Sequence, residues 1–460
     1  MNKEKKLMQI QNTGLKVFII GVDGMTWKIA QPLLDNEEMP NLQKLINNGT
    51  RAILRSEGNM NSPIMWTNII TGKDSSMHGI SGFITEALPF FPKIHKLPPY
   101  IDLRFMLNRL GIIKTVTVCS YNRKVKALWN ILSDADKTVG VVGWGFASWP
   151  AEQVNGYIVT HEITHVREAY KNKKFREIRY IVVDAYHPKY GITFPSKLVE
   201  SLEPLSIEPR MVNSSSLFDK DDFSLRNVDK LSEITEGVES YLFESLFIIL
   251  AEDMTAFHIM KHMQNTQNTE FSVVYFRITD VVGHIFFRYF KPELKWKLEP
   301  THETVRLFNQ TINNSYRLFD KWLGKLTNNL PPDTVVIICS DHGMGPSIKT
   351  EYEPDVSGSH TMDGLLLLSG GPVRKKHTMK QSRQFDLAPT ILYLMGLPVA
   401  KDMKGKILEN AIEPEFLEKF HPTFIDTYET KFKSNIPHVP RNQNIEKMRF
   451  RQLRELKYLE

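Results

Sequence analysis

Three aspartates and three histidines stand at positions suited to metal chemistry. Asp23 closes the apolar run "KVFIIGVD" (16–23). Asp280 closes "FSVVYFRITD" (271–280), with His284 four residues on. Asp341 and His342 follow "VVIICS" (335–340) as neighbours, just before Gly343. His360 lies in the small-residue loop "SGSHTMDG" (357–364). Carboxylate oxygens and imidazole nitrogens suit borderline divalent cations, and six such groups supply two cations with positions to spare. Two cations about 4 Å apart suit in-line displacement at phosphorus, because each stabilises one of the attacking and leaving oxygens. Taken singly, an Asp after a strand is a cap or turn former and a His in a Ser/Gly loop is a surface residue. The set carries the reading.

That chemistry needs a nucleophile, and Ser62, followed by Pro63 in "SPIMWTNIITG" (62–72), is the candidate. A hydroxyl at a helix start faces the positive end of the helix dipole, which favours an alkoxide and an anionic phosphoryl group. The simpler role for the same pair is a Ser N-cap with Pro at the first helical position.

These residues need elements that deliver them. The runs 16–24, 138–145, 271–280 and 333–341 read as buried strands. Segments 39–50, 62–72 and 385–398 read as helices, with Pro40 near the start and Gly49 at the end of the first, and with Gly396 and Pro398 closing the last. Strands alternating with helices predict an α/β fold with a mainly parallel sheet, in which ligands gather outside the carboxyl ends of the strands. Residues from about 84 to 270 fit this rhythm less well. "LPFFPKIHKLPPY" is rich in proline and aromatics and "KNKKFREIR" is a charge run, so this segment reads as inserted material forming a cap or second lobe. The expected division is a discontinuous core over 14–84 and 270–410, a cap region mixed with core elements over 85–269, and a polar tail over 411–460. A terminal helix in that tail would carry Phe450, Leu453, Leu456 and Leu459 on one stripe.

The bulk properties fit a soluble globular protein. The chain has 460 residues, 42% of them hydrophobic and 24% charged, and a mean hydropathy of -0.28. A net charge of +6 permits an anionic small-molecule substrate and is too weak a balance for a binder of duplex nucleic acid. Cys119 and Cys339 both lie in apolar runs and read as buried thiols, so no disulfide framework is expected and a reducing, cytoplasmic setting is. No stretch approaches the roughly 20 apolar residues of a membrane span, and the N-terminal residues hold no apolar core of signal-peptide length.

Six motifs, "GVDGMTW", "SPIMWTNIITG", "MHGI", "DVVGH", "SDHGMG" and "SGSHTMDG", occur here in the order and spacing of the alkaline phosphatase superfamily. The chain most resembles that superfamily's type I phosphodiesterase/nucleotide pyrophosphatase branch, in its prokaryotic members. "VYFRITDVVGHIFFRY" and "FDLAPTILYLMGLPVAKDMKGKIL" are similar to that group as well, and the likeness covers about 16–84, 270–408 and the end of the tail. The resemblance implies an alkaline-phosphatase-like three-layer α/β/α core and two divalent metal ions, usually zinc, with manganese as the alternative. One ion would take Asp280, His284 and His360. The other would take Asp23, Asp341 and His342, together with the oxygen of Ser62. It further implies attack of Ser62 on phosphorus and hydrolysis of the resulting phospho-Ser62 by water.

The pattern departs in places. Nucleotide pyrophosphatases of this group carry an Asn after the "HGI" element that donates to a phosphate oxygen; Phe83 holds that position here, leaving Thr85 or a main-chain N–H for the role. Ser62 replaces the Thr of many members, and no C/S-x-P-x-R motif of sulfatases is present. His78, Arg288 and the run 373–383 read as structural or solvated, and Trp27 and Trp66 as core or as walls of a leaving-group pocket. The expected activity is hydrolysis of phosphodiesters or related phosphate and phosphonate esters. The alternatives are phosphoryl transfer to a sugar or lipid hydroxyl, nucleotide pyrophosphatase activity, or an inactive metal-binding scaffold.

Overall fold

A computed structural model describes residues 10–58, 60–87, 114–145, 148–165, 191–212, 214–218, 233–234, 240–347 and 357–429. The expected terminal helix of the tail and much of the expected cap lie outside the described residues.

Thirteen strands position the site. They are β1 (Lys16–Val22), β2 (Gly49–Arg55), β3 (Ile84–Ala87), β4 (Lys114–Thr117), β5 (Val139–Val142), β6 (Gly156–Val159), β7 (Thr193–Phe194), β8 (Phe271–Phe276), β9 (Thr334–Cys339), β10 (Gly343–Pro346), β11 (Gly358–Thr361), β12 (Asp363–Ser369) and β13 (His377–Arg383). Nine of them form one sheet in the order β13-β2-β12-β9-β1-β8-β5-β6-β7. Its centre, β9-β1-β8-β5-β6, is parallel throughout, and β12 and β7 run against their neighbours. The mainly parallel sheet is as expected. Strands β5, β6 and β7 belong to it although they lie within residues 85–269.

Alternation along the central strands builds two cores. Phe18, Ile20 and Val22 of β1, Val274 and Phe276 of β8, and Val336 and Ile338 of β9 face one apolar layer. Val17, Ile19, Val273, Tyr275, Val335, Ile337 and Cys339 face the other. The first layer is covered by helices α1 (Trp27–Asp35), α2 (Pro40–Asn47), α4 (Ser240–Thr266), α5 (Ile278–Phe290) and α6 (Thr311–Thr327). The second is covered by α3 (Ser62–Thr71) and α7 (Leu387–Leu394). This is a three-layer α/β/α arrangement. Among the described residues no helix is long and apolar enough to cross a membrane.

Three local expectations need correction. The run 271–280 is strand only to Phe276, and Asp280 stands in the first turn of α5. Gly49 does not end the helix of 39–50, which stops at Asn47. It opens β2, where a Cβ would fall 2.1 Å from the carbonyl oxygen of Leu368 in β12. Residues 377–383, expected as a solvated loop, form edge strand β13, parallel to β2. Most of the β13 side chains meet water, so the strand carries no buried face to reveal it, and charged residues suit a sheet edge.

Candidate metal centre

The four delivering segments converge at the carboxyl ends of β1, β8 and β9. Asp23 follows β1 directly, and its N–H donates to Phe276 O at 2.9 Å, tying the tip of β1 to that of β8. Gly24 next to it has φ +69, and a Cβ there would lie 2.9 Å from Cα of Asp280, so glycine permits both the turn and the close approach of α5. Helix α5 is capped from outside. Asp253 of α4 accepts the N–H groups of Arg277 and Ile278, each at 2.8 Å, which fixes the first turn that carries Asp280. One helical turn later His284 falls on the same face, with Nε2 3.3 Å from Asp280 Oδ1. The hairpin β10–β11 returns His360 to the same point, with Nε2 3.4 Å from Asp280 Oδ1 and 3.0 Å from His284 Nε2.

Asp341 and His342 lie past the end of β9. Ser340 holds this turn by donating to His342 O at 2.7 Å and accepting the Met25 N–H at 2.8 Å, and Ser56 donates to Asp341 O. His342 Nε2 is 3.0 Å from Asp23 Oδ1, 3.7 Å from Asp280 Oδ1 and 3.8 Å from Asp341 Oδ2. Its ring stacks on that of His360 at 3.6 Å.

The hydrogen bonds assign the imidazole tautomers. His284 Nδ1 meets Gly358 O at 3.0 Å, His342 Nδ1 meets Gly343 O at 2.9 Å, and His360 Nδ1 meets Met60 O at 3.1 Å. A carbonyl oxygen can only accept, so each Nδ1 carries a proton, and in the neutral ring each Nε2 presents its lone pair to the centre. Such Nδ1 anchoring is how ligating histidines are oriented. Meanwhile Asp23 Oδ1, both oxygens of Asp341, Ser62 Oγ and His342 Nε2 are buried with no hydrogen-bond donor. Buried acceptors facing one another are costly unless a cation lies among them. Two ligand sets satisfy the spacing, Asp280 with His342 and His360, and Asp23 with Asp341 and His342. His342 is common to both, and His284 joins the first through Asp280. The residues therefore offer mixed nitrogen and oxygen donors of the kind that suit divalent metal ions.

The electrostatics agree. Burial and the negative charge of Asp23 push the Asp341 carboxyl well above the usual range. Burial alone would lower His342, but Asp341, Asp23 and Asp280 outweigh it and push that imidazole up to about 10. Burial likewise opposes ionisation of Asp280, yet His284 and His360 hold it well below the ordinary carboxylate value. The site concentrates negative charge that protons or dications must neutralise.

Ser62 is the first residue of α3, is 1% exposed, and its cap is Asn61 rather than itself. Two bonds tie this helix to the centre. Met60, two residues before Ser62, accepts from His360. Trp66, one turn after it, points its indole N–H at Asp23 Oδ2 at 3.4 Å, an oxygen that also accepts from Tyr275 OH. Trp66 thus packs beneath Asp23, its ring 5.0 Å from Trp144 and 4.8 Å from Tyr275, instead of lining a leaving-group pocket. Trp27 donates to Ala52 O at 2.7 Å and packs on β2. His78 is buried, accepts the Ile80 N–H on Nδ1 at 3.1 Å and meets Asn68 at 2.8 Å through Nε2; burial lowers it to about 3, which marks a structural histidine. Arg288 is buried against Tyr289. Phe83 is buried, with its carbonyl taking the Val118 N–H, and Thr85 lies in the β3–β4 ladder. Two supporting residues, Tyr275 and Asp253, carry no local sequence signal. One is an aromatic in a strand and the other an acid in a helix, and only packing brings them to Asp23 and α5.

The chain belongs to the type I phosphodiesterase/nucleotide pyrophosphatase family, whose model matches residues 17–389. Among curated proteins it is similar to 2,3-bisphosphoglycerate-independent phosphoglycerate mutases. The identity is 39% over 77 residues for that of Dinoroseobacter shibae and 31% over 74 residues for mutase 2 of Methanosarcina acetivorans. In both cases the match covers 16% of this chain and 14% of the mutase. Among solved structures, murine ectonucleotide pyrophosphatase/phosphodiesterase 5 aligns over 86% of this chain and 100% of its own, at 12% identity and a TM-score of 0.46. A mutant of alkaline phosphatase PafA aligns over 86% and 98%, at 14% identity and a TM-score of 0.45.

Proposed function

We propose that this chain is a two-metal hydrolase that cleaves phosphodiesters, or closely related phosphate and phosphonate esters, through a phospho-Ser62 intermediate. The observation that carries the reading is the set of buried, donorless acceptors in two ligand groups sharing His342, beside a serine hydroxyl that is itself donorless at a helix start. Asp280, His284 and His360 would hold one ion, and Asp23, Asp341 and His342 the other, with Ser62 Oγ turned toward it. The mixed donor set suits zinc, with manganese as the alternative. When bound, the two cations neutralise the phosphoryl charge and ease ionisation of the attacking and leaving oxygens.

The chain's own residues do the rest. Asp23 is held in place by Tyr275 and Trp66, and Asp280 by the externally capped turn of α5. Ser62 Oγ accepts and donates no hydrogen bond, so no partner must be broken before it attacks. The field of α3 favours negative charge at that point. The segment 85–269, beyond the strands it contributes to the sheet, is assigned the selection of the leaving group, and the substrate is a small phosphate ester.

The test uses purified, zinc-loaded protein with bis-p-nitrophenyl phosphate. Ser62→Ala is expected to lower kcat by at least about 10³-fold while two metals per chain remain bound. An equally active Ser62→Ala protein would overturn the mechanism. Transfer to an alcohol in place of water is the second reading, supported by the local similarity to proteins named mutases, and product analysis with added glycerol separates the two.

A further inference from the structure

We propose that the side-chain amide of Asn61 donates the hydrogen bond that holds a non-bridging phosphoryl oxygen beside Ser62. The inference rests on the reading of Ser62 as nucleophile and adds a substrate-binding residue to it. Phosphoryl transfer spreads charge over three equatorial oxygens, and donors aimed at them in advance stabilise the transition state. A helix start usually supplies such donors from its first amides, but α3 does not. Pro63 has no N–H, and the amides of Ile64 and Met65 are taken by Asn61 O at 2.8 and 3.1 Å. Only the Ser62 N–H is left on the backbone of that first turn.

Asn61 is the neighbouring group with a spare donor. An Asn at the N-cap ordinarily turns its side chain onto the second or third amide of the helix, and here it makes no such bond. Its Oδ1 is shut off from solvent and meets no donor. Its Nδ2 lies 3.6 Å from the point where a Cβ on Gly82 would sit, which is ordinary contact distance. The adjoining side chain, Phe83, is buried and brings no donor. A half-turn of the amide exchanges its two ends, so its NH₂ can be aimed at an arriving anion. In the step itself the Ser62 Oγ–P bond forms as the bond to the leaving oxygen breaks; the Ser62 proton passes to solvent, and the leaving oxygen departs with the bonding pair and is protonated by water. The Asn61 N–H is shared with a phosphoryl oxygen and is not transferred.

Two variants separate donation from helix capping. Asn61→Ala removes both, whereas Asn61→Ser restores a good N-cap residue that is too short to reach the substrate. With zinc-loaded, full-length protein, both are expected to keep two metals per chain by elemental analysis. Both should also bind orthophosphate about tenfold more weakly by calorimetry, and lose about 10²-fold in kcat with bis-p-nitrophenyl phosphate. Wild-type phosphate affinity and kcat in Asn61→Ser would overturn the proposal, as would loss of a metal in that variant, since Asn61 would then serve the ligands and not the substrate. Should wild-type protein hydrolyse no phosphoester, the hydrolase reading fails on its own, and the orthophosphate titration still decides the role of Asn61.

Discussion

Arg123 and Glu152 form one buried charged cluster in this protein and the six metal-centre residues form another, and the two are balanced differently. The side chains of Arg123 and Glu152 are 0% and 3% exposed and pair directly. Glu152 also accepts from Trp129 Nε1 at 2.7 Å and from Asn130 at 3.3 Å, and Arg123 donates to Asn130 Oδ1 at 3.1 Å. One charge answers the other, and both carboxylate oxygens have donors. At the metal centre three carboxylates and three imidazole lone pairs are turned inward, and neither oxygen of Asp341 has a donor. Equal burial with unequal balance separates a structural ion pair from a candidate cation site.

Four experiments would break or sharpen that contrast. The largest effect is expected for Asp341→Asn in the zinc-loaded protein. Bound metal should fall from two ions to one per chain, with turnover reduced by more than the roughly 10–100-fold that loss of an outer partner costs. Glu152→Gln should leave metal content unchanged and lower stability by about 3–5 kcal/mol in urea unfolding, because Arg123 is left buried without its counter-charge. An unaffected midpoint would mean that this pair is not the balanced one. The same Asp341→Asn change in chelator-treated protein should raise stability, by about 1–2 kcal/mol, since it removes one of several facing acids. A fall in both states would show that Asp341 is already satisfied without a cation.

The fourth experiment concerns a buried group outside both clusters. His78 has its pKa lowered to about 3 from an ordinary 6.5 by burial. The unfolded chain therefore takes up the proton first as pH falls. The stability due to neutral His78 is fully present above about pH 6.5 and is lost down to about pH 3, at roughly 1.4 kcal/mol per pH unit. His78→Gln, measured by denaturation between pH 7 and pH 4, should flatten that slope. An unchanged slope would place the acid sensitivity elsewhere.

Much of this architecture could be read from local patterns, and what could not be read has physical causes. The parallel strands of 16–22, 139–142, 271–276 and 334–339 are short apolar runs, and burial on both faces leaves that signature. Strand β2, partly exposed along its length, follows α2 so closely that its glycine passed for a helix end. Strand β13 is polar because it edges the sheet. In β12 the four leucines Leu365–Leu368 form a run that helix and strand share equally. The helical i, i+4 spacing of Asp280 and His284 was legible, whereas the boundary between β8 and α5 was not.

Residue types and their places past the strand ends marked Asp23, Asp280, Asp341 and His342 as a potential ligand set, because strand ends in a parallel sheet point one way. Chain folding decided which of them meet. His284 and His360 are 76 residues apart and touch at 3.0 Å only because β10–β11 folds back over α5. There a Cβ on Gly358 would lie 2.2 Å from the carbonyl oxygen of Gly283. The three Nδ1 anchors, the position of His342 between both ligand groups and the burial of Ser62 all depend on backbone carbonyls and packed neighbours distant in the chain. Composition and spacing can name candidate ligands; their anchored Nδ1 atoms, and the buried acceptors without donors, exist only once those distant groups are brought together.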